Sequence, residues 1–179
     1  VELAYEAMRK ALLQPPFGRP DIDIYNHYGY VPAEQSYSVT KTLEYVYNDW
    51  ALAELAKKLG RADDAKILQK PAFRYQQIFN PQTKFMQAKT KAGEWQEEGF
   101  REGDQWTYSW FVPHDVQGLI NLMGGSDQFS EKLNFCFEQN QYVHDNEPPL
   151  HYAYLFNYAG EPWLTEKWVD AVRHINYTT

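Results

Sequence analysis

The amino-acid sequence predicts an all-α fold assembled from antiparallel helical hairpins. In about seven segments, apolar residues recur three and four positions apart, the spacing that places them on one face of a helix. Hardly any segment shows the alternating pattern of a half-buried strand, and loops separate the helical segments. The chain has 179 residues, enough for one domain with a hydrophobic core of its own.

Two helices are predicted in the first third of the chain. The first ends at Pro15 and Pro16, and its apolar face consists of Leu3, Ala7, Met8, Ala11 and Leu12. The second lies in YSVTKTLEYVYNDWALAELAKKLG and ends at Gly60, with an apolar face of Val39, Leu43, Val46, Trp50 and Ala53. The stretch between them, PPFGRPDIDIYNHYGYVPAEQS, predicts a loop of about twenty residues. This loop is either functional or an irregular connection packed by its tyrosines.

The remaining elements follow from the same periodicity and from turn residues. Asp63 to Phe79 predicts a helix that Pro71 kinks, and FMQAKTKAGEW predicts a short hairpin around Ala92 and Gly93. Four further helices are predicted: Val116 to Met123 before two glycines, a helix with Ser126 as its N-cap and Phe129, Leu133 and Phe137 on one face, Pro148 to Ala159, and Thr165 to Asn176.

Composition excludes several classes of protein. The formal charge is −7 and no basic block is present, which argues against a nucleic-acid partner. No apolar run approaches the roughly 18 residues of a membrane span, and the charged start is not a secretory signal. The sequence therefore indicates a cytosolic protein or a piece of a longer one. The single cysteine, Cys136, excludes an internal disulfide, and its place on the apolar side of its helix favours packing over nucleophilic attack.

The segment FREGDQWTYSWFVPHD, residues 100–115, concentrates functional side chains. Glu102 comes just before a helix that is predicted to begin near Asp104 and to carry Trp106 and Trp110 on one face. A carboxyl group beside aromatic walls is partly desolvated, which raises its pKa and suits it to donate a proton near neutral pH. The alternative is that Glu102 interacts favourably with the helix N-terminus. Pattern alone favours the second interpretation.

A second concentration of polar residues is YVHDNEPPLHY, residues 142–152. The residues that crowd this helix start are His144, Asp145, Asn146, Glu147 and His151. The oxygen atoms of Asn146 and Glu147 suit a hard cation such as Ca²⁺, although an acidic helix cap fixed by two prolines explains them equally well. In the nearby sequence PHD, Asp115 is predicted to cap the next helix and His114 to be a structural histidine. Neither a phosphate-binding loop nor a nucleophile elbow is present.

Three motifs in order resemble glycoside hydrolase family 92, the calcium-dependent exo-acting α-mannosidases. They are SVTKTLEYVYNDW, EGDQWTYSWFVPHDVQGLINLMGG and HDNEPPLHYAYLFNYAGEPWLT, which correspond to the family's S-V-S-K-T-L-E-Y, E-G-x-x-W-Q-Y-x-W-x-V-P-H-D and H-G-N-E-P segments. Thr107 stands where the family usually has Gln, and Asp145 where it usually has Gly. The resemblance implies that residues 1–179 are part of an (α/α)6 barrel, with an N-terminal β-sandwich and the C-terminal part of the barrel outside this sequence.

The resemblance also implies an activity and its residues. Glu102 matches the general acid of an inverting hydrolase of terminal α-mannosides, and Asn146 and Glu147 match a segment that binds Ca²⁺ and sugar. Substrate-binding positions are Trp106, His114, His144, Glu147 and His151. The partners implied are a mannose-containing glycan and the rest of the parent chain, in an extracellular or periplasmic setting.

The family's general base lies in a motif that these residues do not contain, so the 179-residue chain is expected to be inactive by itself. Two alternatives stay open at this stage. One is a non-catalytic helical module that binds carbohydrate or serves as a scaffold. The other is a toroidal all-α enzyme that acts on glycans with different stereochemistry.

Overall fold

The computed structural model describes residues 1–15 and 18–177. Two compact units share these residues. Unit 1 comprises Val1–Asn80 and Met86–Arg101, and unit 2 comprises Pro81–Phe85 and the chain from Glu102 onward. No helix in the described ranges is long and apolar enough to cross a membrane.

The described part of unit 1 contains four α-helices and a 3₁₀ helix. These are α1 (Glu2–Leu13), α2 (Ile22–Tyr28), α3 (Ser38–Lys58), α4 (Ala62–Gln69) and the first 3₁₀ helix (Pro71–Ile78). The strands are only two residues long: β1 (Phe79–Asn80), β2 (Phe85–Met86), β3 (Ala88–Lys89) and β4 (Trp95–Gln96). The predicted hairpin around Ala92 and Gly93 is confirmed, since β3 pairs antiparallel with β4 in the register Ala88 to Gln96 and Lys89 to Trp95.

The predicted twenty-residue loop is wrong in one respect, because α2 lies inside it. Asp21 precedes this short helix, and Gly29 follows it in the left-handed conformation with φ of 81°. Glycine adopts that conformation without steric cost, which makes it a natural helix stop. Residues 16 and 17, at the start of the predicted loop, lie outside the described residues.

The bounds predicted for α1 agree with the structure, and Leu12 of its predicted apolar face packs partly buried against the core, but most of that face is exposed. Leu3 and Met8 are exposed, and the one buried residue of this helix is Tyr5. The Tyr5 ring packs in a core cluster with apolar residues of α3 and α4, and its hydroxyl donates to Asp64 Oδ2 at 2.9 Å. A tyrosine at this site buries its ring while its hydroxyl keeps a partner.

The long helix α3 was predicted correctly, and it forms the core of unit 1. Val39, Leu43, Val46 and Ala53 are fully buried, as the sequence spacing predicts. Asp49 of the same helix forms a buried ion pair with Arg19. Asp49 accepts hydrogen bonds from Arg19 at 2.8 Å and from the Tyr25 hydroxyl at 3.1 Å.

The predicted helix over Asp63 to Phe79 is divided into two helices near Pro71, and is not only kinked there. The α-helix ends at Gln69, and the chain continues as a 3₁₀ helix in which Pro71 occupies the first turn. A proline in the first turn loses no hydrogen bond, because that amide would have no intrahelical partner.

Up to residue 177, where the description of the chain ends, unit 2 contains four α-helices and the second 3₁₀ helix. These are α5 (Gln105–Tyr108), α6 (Val116–Met123), α7 (Ser126–Glu138), the second 3₁₀ helix (Pro148–Asn157) and α8 (Pro162–Asn176). The side chain of Asp115 caps α6 by accepting from Gly118 N at 3.1 Å, as predicted. Gly125, not Ser126, is the N-cap of α7. Phe129, Leu133 and Phe137 are buried on the predicted face.

A helix begins next to Asp104, as predicted, but the prediction that it carries both Trp106 and Trp110 on one face is wrong. Helix α5 ends at Tyr108, so Trp110 lies beyond it. Trp110 and Val112 are fully buried, and the Trp110 ring meets the edge of Phe129 with centroids 5.5 Å apart.

Cys136 is buried as well, and burial raises the pKa of its thiol to about 12. Such a thiol packs as a small apolar group and is a poor nucleophile at neutral pH.

Candidate functional site

Glu102 has an unusual backbone conformation. It has a positive φ of 55°, and Gly103 follows with φ of 155°. Asp104 then caps α5 through its carboxylate, which accepts from the amides of Trp106 at 2.8 Å and Thr107 at 3.0 Å. The turn before α5 therefore fixes the position from which Glu102 projects.

The Glu102 side chain is exposed, so the predicted partial desolvation by aromatic walls is wrong. Trp106 is half-buried and packs against other rings. Its ring lies 4.6 Å from that of Phe85, edge to face, and 5.8 Å from that of Phe135, stacked. The capped turn directs Trp106 into this aromatic packing, and the carboxyl of Glu102 remains open to solvent.

The structure brings Glu102 next to the second predicted motif. Its Oε2 atom lies 3.5 Å from Nδ2 of Asn146, a residue 44 positions later in the chain. The other end of the same amide accepts from the backbone amide of Glu147 at 2.8 Å. Asn146 thus links the two segments that the sequence singled out.

A pocket of about 390 Å³ opens at this second motif. Its lining combines four consecutive motif residues, one residue of the second 3₁₀ helix and two residues at the end of the described chain: His144, Asp145, Asn146, Glu147, Leu150, Asn176 and Tyr177. Pro148 and Pro149 are buried and begin the 3₁₀ helix, so they hold the preceding polar residues at its start. The pocket has the polar, oxygen-rich lining that suits a sugar or a hard cation.

His144 is bonded at both ring nitrogens by tyrosines. Nδ1 lies 2.5 Å from the Tyr142 hydroxyl, and Nε2 lies 2.6 Å from the Tyr177 hydroxyl. Burial raises the pKa of Tyr142 to about 12, so its hydroxyl stays protonated at neutral pH. Tyr142, Asn176 and Tyr177 were not among the predicted site residues. Tyr142 stands two residues before His144, but no local signal links Tyr177 to this motif.

Three other predicted site residues lie apart from this pocket. Among the residues that the structure describes, Trp106, His114 and His151 are not in its lining, and their role in binding substrate stays a prediction. His151 is half-buried between the rings of Phe111 and Tyr152, with centroid distances of 6.1 and 4.8 Å. Burial lowers the pKa of His151, so the neutral imidazole is the favoured form in the folded protein.

The donor chemistry fits part of a calcium shell. Asn146 contributes an amide oxygen and Glu147 a carboxylate at the edge of the pocket, and both are ligands that Ca²⁺ prefers. Calcium takes about six to eight oxygen ligands. Residues 1–15 and 18–177 contain no group of three or more His, Cys, Asp or Glu side chains that could hold a metal ion. The two residues therefore fit as a partial shell, to which other groups would add.

Comparison with known proteins places these observations in a family. The model of the glycosyl hydrolase family 92 catalytic domain matches residues 1–179. A protein of Arthroderma benhamiae described as an uncharacterized secreted glycosidase is 30% identical over 93% of this chain and 27% of its own length.

Solved structures agree in fold. A family 92 α-mannosidase from Bacteroides thetaiotaomicron, in complex with mannoimidazole, is 33% identical with a TM-score of 0.91, over 98% of this chain and 27% of that one. An inverting family 92 mannosidase from the same organism is 31% identical with a TM-score of 0.89, over 98% of this chain and 29% of that one.

These likenesses confirm the predicted all-α class as part of the family's helical barrel fold. The chain spans less than a third of the length of the relatives that it matches. Because the family's catalytic-domain model covers every residue of the sequence, the chain belongs to glycosyl hydrolase family 92.

Proposed function

We propose that the whole protein removes terminal α-linked mannose from glycans by inverting, calcium-dependent hydrolysis. The observation that carries this proposal is the exposed carboxyl of Glu102 beside Asn146, next to the pocket that Asn146 and Glu147 line. Two solved relatives are described as α-mannosidase and inverting mannosidase, which supports the same substrate class and stereochemistry.

Glu102 is the general acid in this proposal. An inverting glycosidase needs one carboxylic acid that protonates the leaving oxygen and one carboxylate that activates water from the other face of the sugar, with the two carboxyls about 6.5–9.5 Å apart. An exposed carboxyl at a fixed turn can reach the glycosidic oxygen of a bound glycan. The family resemblance assigns the base to a motif that residues 1–179 do not contain, so the proposal concerns the whole protein.

Binding of the terminal mannose is assigned to the polar pocket. His144 and Glu147 line it: the carboxylate of Glu147 offers contacts to sugar hydroxyls, and the His144 ring contributes a wall. The resemblance adds Trp106, His114 and His151 as substrate-binding residues of the same cleft, and this part of the proposal is open to mutagenesis.

Asn146 and Glu147 are the residues proposed to hold Ca²⁺. When bound, the ion would contact mannose hydroxyls and favour a distorted ring. Both side chains offer oxygen donors at the pocket edge, which is the basis of the assignment. The residues of this chain contribute the rest of the chemistry: they orient the sugar and deliver a proton from Glu102.

The test is hydrolysis of an aryl α-mannoside by the purified whole protein. We expect turnover that EDTA abolishes and added Ca²⁺ restores, with β-mannose as the first product seen by proton NMR. Release of α-mannose would refute inversion, and undiminished turnover in EDTA would refute the calcium requirement. Absence of turnover on any α-mannoside, with intact folding, would refute the proposed activity.

The relative described as a secreted glycosidase supports an extracellular or periplasmic location.

A further inference from the structure

The His144 imidazole is saturated with hydrogen bonds before any ligand arrives. A neutral imidazole has one N–H donor and one acceptor nitrogen, and a tyrosine hydroxyl can donate or accept. With Tyr142 at Nδ1 and Tyr177 at Nε2, one tyrosine donates to the ring and the other accepts from it. The ring is thereby held from opposite sides, and neither nitrogen is left to bind a sugar hydroxyl.

One of these tyrosines is itself fixed by packing. The Tyr142 ring stacks on Phe137 with centroids 4.5 Å apart, and Phe137 stacks on Trp168 at 4.9 Å. Phe137 belongs to α7 and Trp168 to α8, so the stack attaches Tyr142 to two helices of unit 2. The hydroxyl of Tyr142 is therefore presented to His144 from a rigid base.

The second tyrosine and His144 form a wall between two cavities. His144, Leu150 and Tyr177 line the polar pocket, and the same three residues line an adjacent cavity of about 330 Å³. Most of the other residues of that cavity are apolar: Tyr142, Ala153, Tyr154, Val169, Val172 and Arg173. The position of the His144 ring therefore sets part of the boundary of the polar pocket.

We propose that Tyr142 and Tyr177 are positioning residues, a tyrosine clamp that holds the His144 ring as a fixed wall of the pocket for the terminal sugar. This inference rests on the proposed function for the identity of the sugar. The clamp itself rests on the two hydrogen bonds and on the stack behind Tyr142.

The test uses two variants that remove one hydroxyl each and keep the ring. In Tyr142→Phe the stack on Phe137 is retained, and in Tyr177→Phe the ring contact with His144, at 5.1 Å between centroids, is retained. Tyr158→Phe is the matched control, since Tyr158 is 63% exposed at the end of the second 3₁₀ helix. All three variants are made in the whole protein.

The first readout is the rate at which diethylpyrocarbonate modifies His144, measured by peptide mass spectrometry at one pH. Loss of a hydrogen bond worth about 1 kcal/mol frees a ring nitrogen about fivefold more often. We expect Tyr142→Phe and Tyr177→Phe each to raise the modification rate of His144 about fivefold. The modification rate of the exposed His174 should stay unchanged in both, and the His144 rate should stay unchanged in the Tyr158→Phe control. Unchanged His144 rates in both variants would overturn the clamp, whatever the enzyme does.

The second readout separates positioning from simple stability. We expect KM for an aryl α-mannoside to rise about three- to tenfold in both clamp variants, with kcat within about twofold of the parent, because the wall shapes the sugar pocket and does not transfer the proton. A faster His144 modification with unchanged KM would overturn the positioning role. If the parent protein itself shows no α-mannosidase turnover, the proposed function fails, and the modification rates still decide whether the clamp exists.

Discussion

Replacing Gly103 by alanine should disturb the turn that presents Glu102. A Cβ atom added at Gly103 would lie 2.8 Å from both Cβ and Oγ1 of Thr107 and 2.9 Å from its Cγ2. Real Cβ atoms do not approach other heavy atoms so closely, and Thr107 is buried, so its side chain has little room to move away. The φ of 155° at Gly103 adds backbone strain for any residue with a side chain.

The two effects have different sizes and can be separated. Backbone strain of this kind costs about 1–3 kcal/mol, and forcing extra atoms into a packed site costs about 1–3 kcal/mol more. We therefore expect Gly103→Ala to lower the free energy of unfolding by about 2–6 kcal/mol. Because all three close atoms belong to Thr107, the double variant Gly103→Ala with Thr107→Ala should recover the packing part and leave the strain.

The assay is urea denaturation of the single and double variants, followed by tryptophan fluorescence, together with kcat on an aryl α-mannoside. We expect the α5 turn to shift in Gly103→Ala and kcat to fall by more than the loss of folded protein explains. The reasoning would be refuted by a stability within about 0.5 kcal/mol of the parent. It would also be refuted if Thr107→Ala gave no relief in the double variant.

Three further predictions concern buried groups. Burial lowers the pKa of His151 below its usual 6.5, so the stabilising effect of the neutral His151 side chain is complete above pH 6.5 and is lost as the pH falls below 6.5. The Tm of the parent should therefore drop from pH 8 to pH 5.5 by more than the Tm of His151→Gln. Equal drops in Tm would contradict this prediction. Cys136, with its pKa near 12, should react with thiol reagents only after urea unfolds the chain, and rapid labelling under native conditions would disprove its burial. Arg19→Met should cost about 3–5 kcal/mol because Asp49 is left buried without its 2.8 Å partner, and a calorimetric loss below about 1 kcal/mol would show that the pair is dispensable.

Elements with strong local signals could be predicted from the sequence. Helix α3 has 21 residues with a regular apolar spacing, so its bounds and its buried face both follow from periodicity. Helix α6 is bracketed by Asp115 and Gly124, whose capping roles depend only on neighbouring residues.

Other features could not be predicted because distant residues decide them. In α1 the apolar spacing selects Leu3 and Met8, yet Tyr5 is buried because apolar residues of α3 and α4 pack against its ring and Asp64, 59 residues later, accepts from its hydroxyl. The two 3₁₀ helices have apolar patterns close to those of α-helices, and only the hydrogen-bonding geometry distinguishes them.

The candidate site likewise has features with a local sequence signal and features that depend on distant residues. The motif residues Glu102, Asn146 and Glu147 carry oxygen-rich chemistry in short segments, so the sequence could single them out. Their meeting at 3.5 Å and the bond from Tyr177 to His144 depend on how the chain folds over 44 and 33 residues. The residue types therefore indicated the chemistry of the site, whereas the contacts among these residues depend on the fold.

In the proposed function, Glu102 donates the proton to the leaving group. The most direct test is Glu102→Gln in the whole protein, compared on two substrates: a mannobiose with a poor leaving group and 2,4-dinitrophenyl α-mannoside with a good one. Gln keeps the size of the side chain and loses its acid, and a positioned general acid contributes about 10²–10⁴-fold. We predict a loss of this size in kcat/KM on the mannobiose and a loss below about tenfold on the dinitrophenyl mannoside. Equal losses on both substrates, or full activity on the mannobiose, would contradict the account.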